Sequence, residues 1–152
     1  VTQPQALQGV RILVVEDFLV LPWASMLLGD LGAEVIRVEG PTRLPGRRFR
    51  PFPDSAPGPQ WWEESGTHHL WYRNKRSVGV NLRTEQGQAL FRQLVKLSDV
   101  VASNFRTDVM ERLGLEYEAL RRLKPDLVMV NVTGFGQTGP WRNYGAFART
   151  ID

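Results

Sequence analysis

Apolar and polar positions along the chain alternate between two rhythms. Val10-Arg11-Ile12-Leu13-Val14-Val15 is a nearly continuous β-branched run of strand length, which suits a strand covered on both faces. Pro22 then fits the first turn of a helix, and Trp23, Met26, Leu27 and Leu31 follow at helical spacing. Gly32 predicts the stop. Ala33 to Val38 predicts a second strand ending at Glu39. The rhythm breaks over residues 40–66, where six prolines between Pro41 and Pro59 exclude regular helix or central strand from the proline-dense run. Order returns at His68-His69-Leu70-Trp71-Tyr72, followed by a predicted strand over Ser77 to Leu82.

Thr84 is placed to cap the next helix, with Leu90, Phe91, Leu94, Val95 and Leu97 on its buried face. Val100 to Ser103 reads as a strand. Thr107 to Leu113 reads as a helix stopped by Gly114, and Tyr117 to Leu123 as another stopped before Pro125. Leu127 to Val132 predicts the last strand, and Phe147 to Asp152 reads as the opening of a further helix. The order β-α-β, loop, β-α-β-α-β predicts an α/β fold with a mostly parallel, doubly wound, Rossmann-like sheet and right-handed crossovers.

Composition narrows the chemistry. The 152 residues contain no cysteine, which excludes disulfides, thiolate metal sites and cysteine nucleophiles within them. Val1 to Gln5 carries no leader pattern, and no apolar stretch approaches the roughly 20 residues of a membrane span. A soluble, cytoplasmic protein with no membrane partner is expected. The net charge of +3 is uneven: residues 1–40 carry −3, residues 41–83 carry +5 and residues 84–152 carry +1. A local basic excess points to an anionic partner or an exposed loop. One such segment is thin support for a nucleic-acid module, so no nucleic-acid partner is expected.

Gly134-Phe135-Gly136-Gln137-Thr138-Gly139 matches a dinucleotide fingerprint, but Pro140-Trp141 stands where its helix should begin. His68 and His69 are adjacent and diverge on either a helix or a strand, so no metal site is expected. Glu16-Asp17 falls at the carboxyl end of the first strand, where open α/β sheets bind ligands. The pair reads either as an acid–base group or as a solvated turn with a capping aspartate. Trp61-Trp62 closes over a core or a partner surface. Arg73-Asn74-Lys75-Arg76-Ser77 packs three cations at a strand edge; they need a bound anion or nearby carboxylates, and anion site and plain turn stand equal on local grounds.

A series of segments, in order, resembles the class III (CaiB/BaiF-type) CoA-transferase family, which includes the α-methylacyl-CoA racemases. The series opens with Leu7-Gln8-Gly9-Val10-Arg11-Ile12-Leu13 and continues with Met26 to Glu39, reading MLLGDLGAEVIRVE. Asn74-Lys75-Arg76-Ser77, Thr84-Glu85-Gln86-Gly87, Ser98-Asp99-Val100-Val101, Asn104-Phe105-Arg106, Met110-Glu111-Arg112-Leu113-Gly114 and Gly134 to Pro140 complete it.

The resemblance implies CoA transfer between carboxylic acids through enzyme-bound aspartyl intermediates, with coenzyme A or acyl-CoA as substrate and no metal. The family fold is a larger α/β domain plus a smaller one in an interlocked homodimer. Residues 1–152 would be the N-terminal, CoA-binding portion of the larger domain. The nucleophilic aspartate would lie downstream, so this stretch alone would not turn over; Asp152 lacks its motif context. By position, the implied CoA contacts are Phe18, Leu19, Val80, Asn81, Leu82, Arg83, Asn104, Phe105, Arg106 and Arg112, with Arg83 and Arg112 facing phosphates.

The departures are specific. Leu19 stands where transferases often carry glutamine, Ala148 where a polar group is common, and Phe147 where racemases place a histidine base. Phenylalanine carries no proton, which disfavours racemisation by that route. Other acyl-CoA isomerase or lyase chemistry, and a non-catalytic CoA- or nucleotide-binding module, remain the alternatives.

Overall fold

The computed structural model describes residues 5–41, 51–53, 56 and 58–146. The expected C-terminal helix, with Phe147, Ala148 and Asp152, lies outside them, as do Arg43, Arg47, Arg48 and Arg50. Five strands form one all-parallel sheet: β1 (Arg11–Val15), β2 (Glu34–Glu39), β3 (Lys75–Gly79), β4 (Val100–Ser103) and β5 (Val128–Asn131). Their spatial order is β3-β2-β1-β4-β5. The chain moves outward from β1 in one direction, then returns to pair β4 on β1's other side, so the doubly wound expectation holds and the switch point lies between β1 and β4.

Helix α1 (Val20–Asp30) crosses from β1 to β2, and α2 (Trp61–Glu64) and α3 (Gly66–Tyr72) lie between β2 and β3. Helix α4 (Glu85–Lys96) leads to β4, and α5 (Thr107–Arg112) and α6 (Tyr117–Arg121) lead to β5. Strand alternation divides the core between the sheet's two faces. Ile12, Val14, Val35 and Ala102 pack with Leu21 and Ala33. Leu13, Val15, Val38 and Val101 pack with Phe91, Val95, Met110, Leu115 and Leu120. No helix among the described residues is long and apolar enough to cross a membrane.

Local signals explain several boundaries. The Thr84 hydroxyl accepts from the Gly87 N–H at 3.1 Å, the expected cap. Ser65 caps α3 in the same way, accepting from the His68 N–H. Gly32 takes φ +100° just beyond α1, a conformation an L side chain resists, so the stop predicted there is observed.

Three sequence expectations are corrected. The third strand begins at Lys75 rather than Ser77 and ends before Leu82, because its register pairs Val35 with Lys75 and Glu39 with Gly79. Asn74, at φ +57°, makes the turn into it, and Thr84 N–H to Asn81 O closes the turn out. On α1 the apolar spacing misled: Leu21, Pro22, Ser25 and Met26 are buried, whereas Trp23, Leu27 and Leu31 are exposed. On α4, Phe91 and Val95 are fully buried and Leu94 packs against them, but Leu90 and Leu97 face outward. In each helix the sheet accepts a narrower stripe than the apolar residues offer.

Gly87 sits where α4 presses against the preceding turn; a Cβ there would lie 1.9 Å from the Asn81 carbonyl oxygen. Gly87→Ala is therefore expected to destabilise the fold by about 1–3 kcal/mol through overpacking against backbone. Urea denaturation of the two proteins reads this directly, as a lower midpoint with an unchanged slope.

Candidate functional site at the switch point

Two turns meet where β1 and β4 diverge. After β1 the chain runs Glu16-Asp17-Phe18-Leu19 into α1; after β4 it runs Asn104-Phe105-Arg106 into α5. Asn104 joins them. Its Oδ1 accepts from the Asp17 N–H at 2.8 Å, and its Nδ2 donates to the Phe18 carbonyl at 3.3 Å. Leu19 takes φ 68° and ψ −79°, a rare γ-turn geometry costing about 1–3 kcal/mol for a residue with a Cβ. It occupies the N-cap of α1 with no side-chain cap. The Phe18 ring meets Trp71 edge-on, with centroids 5.1 Å apart.

Beneath this turn lies a buried polar network. Glu16 and Lys75 have side chains only 0% and 2% exposed, with Oε1 and Nζ 2.7 Å apart. The Ser25 hydroxyl donates to the other Glu16 oxygen at 2.7 Å, and Arg37 Nε stands 3.7 Å from Glu16. Arg37 also pairs with Glu39. Strand geometry dictates the grouping: Arg37 and Glu39 on β2, Lys75 on β3 and Glu16 just past β1 share one face. Tyr72 lies over that face, with the Arg37 guanidinium 3.8 Å and the Lys75 ammonium 4.9 Å from its ring centroid. Burial pushes the Tyr72 phenol up, and burial pushes the Lys75 ammonium down to about 8 against the opposing pull of Glu16.

This network decides two open readings. Glu16 is buried and consumed by ion pairs and hydrogen bonds, so it is neither an exposed acid–base group nor part of a solvated turn. The cations of Arg73 to Arg76 each have a carboxylate: Arg73 on Asp30 at 2.6 Å, Lys75 on Glu16, and Arg76 on Glu34 at 3.0 Å. Each cation of the motif thus lies against a carboxylate from elsewhere in the fold, Glu16 being shared with Arg37 and Glu34 with Arg11, which favours the plain turn over an anion site there. Sequence reasoning missed the pairing, although the alternation of Arg37 and Glu39 along β2 carried a trace of it.

The remaining expected site residues fall into three groups along the sheet's carboxyl edge. Asn104 meets the Phe18–Leu19 turn at the switch point, whereas Phe105 packs against the core with Phe91 and Met110, and Arg106 stands at the N-cap of α5 beside Asp108. Val80, Asn81, Leu82 and Arg83 form the turn after β3, two strands away. Val80 is buried and Leu82 packs against the same core, so their side chains serve the scaffold; Asn81 and Arg83 are exposed. Asn81 Oδ1 accepts from the Arg83 N–H at 3.1 Å, and the Arg83 side chain has no ion-pair partner among the described residues. Arg112 ends α5, 63% exposed, and shares Asp108 with Arg106, at 3.3 and 3.9 Å. An open depression of about 500 Å³ lies along β5, lined by Tyr117, Val128, Met129 and Gln137, and includes none of these residues.

The sequence profile of CoA-transferase family III matches residues 7–151. The chain belongs to that family. It is 41% identical over 146 residues to succinate–glutarate CoA-transferase of Agrobacterium fabrum, covering 93% of this chain and 35% of the relative. It is 40% identical over 153 residues to succinyl-CoA–D-citramalate CoA-transferase of Chloroflexus aurantiacus, covering 95% and 34%. A crystal structure of a CaiB/BaiF family protein from Brucella suis superposes with a TM-score of 0.83 at 34% identity, covering 95% of this chain and 38% of that one. The chain thus spans about a third of the length of the family III relatives it matches.

Two measurements follow from this geometry. Asn104→Ala removes one partner each from the Asp17 N–H and the Phe18 carbonyl, and a loss of about 1–3 kcal/mol is expected in thermal or urea denaturation. The second concerns pH. Below pH 8 Lys75 is protonated whether the chain is folded or unfolded, so it adds no slope. Between about 8 and the ordinary lysine value of 10.5, the unfolded chain holds the proton and the folded one releases it. Stability contributed by this group therefore rises with pH, by at most about 1.4 kcal/mol per unit. Urea titrations from pH 8 to 10, below the onset of the opposing Tyr72 effect, should show wild type gaining on Lys75→Met; parallel curves would contradict it.

Proposed function

We propose that this chain forms the CoA-binding wall of an enzyme that transfers CoA between carboxylic acids. Family membership supports the reaction class. The observation that carries the placement is Arg83: the cations of Arg73 to Arg76 each lie against an acid, while Arg83 stands exposed at the carboxyl edge with no ion-pair partner among the described residues. On this reading Arg83 and Arg112 meet the phosphates of CoA, with the guanidinium of Arg112 exchanging Asp108 for a phosphate oxygen. Phe18, Leu19, Asn104, Phe105 and Arg106 border the path of the pantetheine arm at the switch point, Asn104 by shaping the turn. Val80, Asn81 and Leu82 hold the Arg83 turn.

The chemistry this wall serves begins with an aspartate outside residues 1–152. Its carboxylate attacks the acyl carbonyl; the C–S bond breaks, leaving an acyl-aspartyl anhydride and CoA thiolate. The thiolate attacks the aspartyl carbonyl, releasing the donor acid and leaving an aspartyl-CoA thioester. The acceptor carboxylate then displaces thiolate to form a second anhydride. Thiolate attack on its acceptor carbonyl yields the new acyl-CoA and restores the aspartate. The names of the two relatives favour short dicarboxylic acids as substrates, with succinyl-CoA as the first donor to assay. The outward apolar residues of α1 (Trp23, Leu27) and β5 (Val128, Val130) support assembly with further polypeptide, as in an interlocked homodimer in the cytoplasm.

Calorimetric titration of the full-length protein with CoA, dephospho-CoA and NADH tests the placement. The expected result is micromolar CoA binding, weaker dephospho-CoA binding and none to NADH. Arg83→Ala and Arg112→Ala should each weaken CoA by about 1.5–3 kcal/mol, as for loss of a desolvated charged hydrogen bond. Unchanged affinity in both variants would overturn the phosphate placement.

A further inference from the structure

Lys75 belongs to the basic motif, yet its ammonium is spent inward. Its three donors go to Glu16 Oε1 at 2.7 Å, the Pro22 carbonyl at 3.0 Å and Ser25 Oγ at 2.7 Å. Glu16 and Pro22 are the two ends of one turn, and Leu19, in its strained conformation, lies midway between them. A single buried cation thus closes the turn from below, while Asn104 holds Asp17 and Phe18 from across the switch point. Arg37 of β2 and Tyr72 of α3 also act on Lys75, while Asp17 and Glu39 act on Tyr72 and Glu39 pairs with Arg37. With all three protons committed and its side chain 2% exposed, Lys75 has no means of meeting a ligand itself.

We propose that Lys75 is a positioning residue for the CoA crevice: by bonding both ends of the Glu16–Pro22 turn, it holds Phe18 and Leu19 in the conformation that receives the thioester arm. The strain at Leu19 gives the clamp its purpose, because an unsupported turn would relax to an ordinary helix entry and move those backbone groups. The charge pair adds little net stability at such burial, and its effect is to select one geometry. The inference rests on reading this crevice as the CoA site.

The test compares the full-length wild type with Lys75→Met and with the double variant Glu16→Gln/Lys75→Met. Three quantities are read on each: the CoA dissociation constant, the thermal midpoint, and amide hydrogen exchange of peptides covering residues 16–23 and 90–103. Lys75→Met should weaken CoA about tenfold and speed exchange in 16–23 but not in 90–103. It should also lower the midpoint, because it leaves a buried carboxylate short of a partner. The double variant removes that carboxylate's charge, so its midpoint should recover while CoA affinity and protection of 16–23 do not.

Recovery of all three together would show a merely structural pair and overturn the clamp. Unchanged exchange in 16–23 on Lys75→Met would overturn it as well. A wild-type protein that ignores CoA would sink the ligand reading on its own, whatever the exchange data show.

Discussion

A carboxylate at the end of β1 with no exposed side-chain surface is the constraint around which this structure is arranged. Glu16 cannot stay ionised in the interior without partners, and its partners come from distant places: Lys75 from the start of β3, Arg37 from β2, Ser25 from α1. Satisfying one buried charge therefore requires three strands and a helix to take one mutual arrangement. The apolar layers above and below the sheet provide the driving force. They would tolerate small shifts of register or helix roll, whereas hydrogen bonds of 2.7 Å tolerate almost none.

The same network connects scaffold to chemistry. Doubly wound sheets bind ligands where the chain reverses its direction of travel, and here that switch point lies between the turns after β1 and β4. A crevice lined by mobile turns binds weakly, because ordering them consumes binding energy. Asn104 joins the two turns and the buried Glu16–Lys75 pair lies beneath them, so on the proposed reading the turns are ordered when the chain folds. Charge is distributed on the same principle. The cations of Arg73 to Arg76 each lie against an acid, whereas Arg83 is exposed with no ion-pair partner among the described residues and Arg112 pairs with Asp108.

The segments that meet at the switch point were legible in the sequence. The Asn104-Phe105-Arg106 segment and the turn at Phe18-Leu19 were placed by the family resemblance, and their position at strand ends followed from the β-α-β order. What the side chains do there was not legible. Asn104 reads as a ligand contact in sequence, whereas in the fold its amide is occupied by main chain from a turn 87 residues earlier. Val80 reads as part of a binding segment and proves to be core.

The sequence by itself determined the strands, most of the helices and their order, though not α2, because strand and helix periods, the Thr84 cap and the glycine stops are local properties of a few neighbouring residues. Family membership was legible too, as an ordered series of short motifs. Only the tertiary structure decided which stripe of α1 faces inward, where β3 begins, and which acid answers each cation. Those outcomes depend on groups far apart in sequence, such as Glu16 and Lys75, 59 residues apart. No periodicity in the chain records which distant group will arrive within 3 Å, since that distance is set by the packing of the whole sheet against its helices.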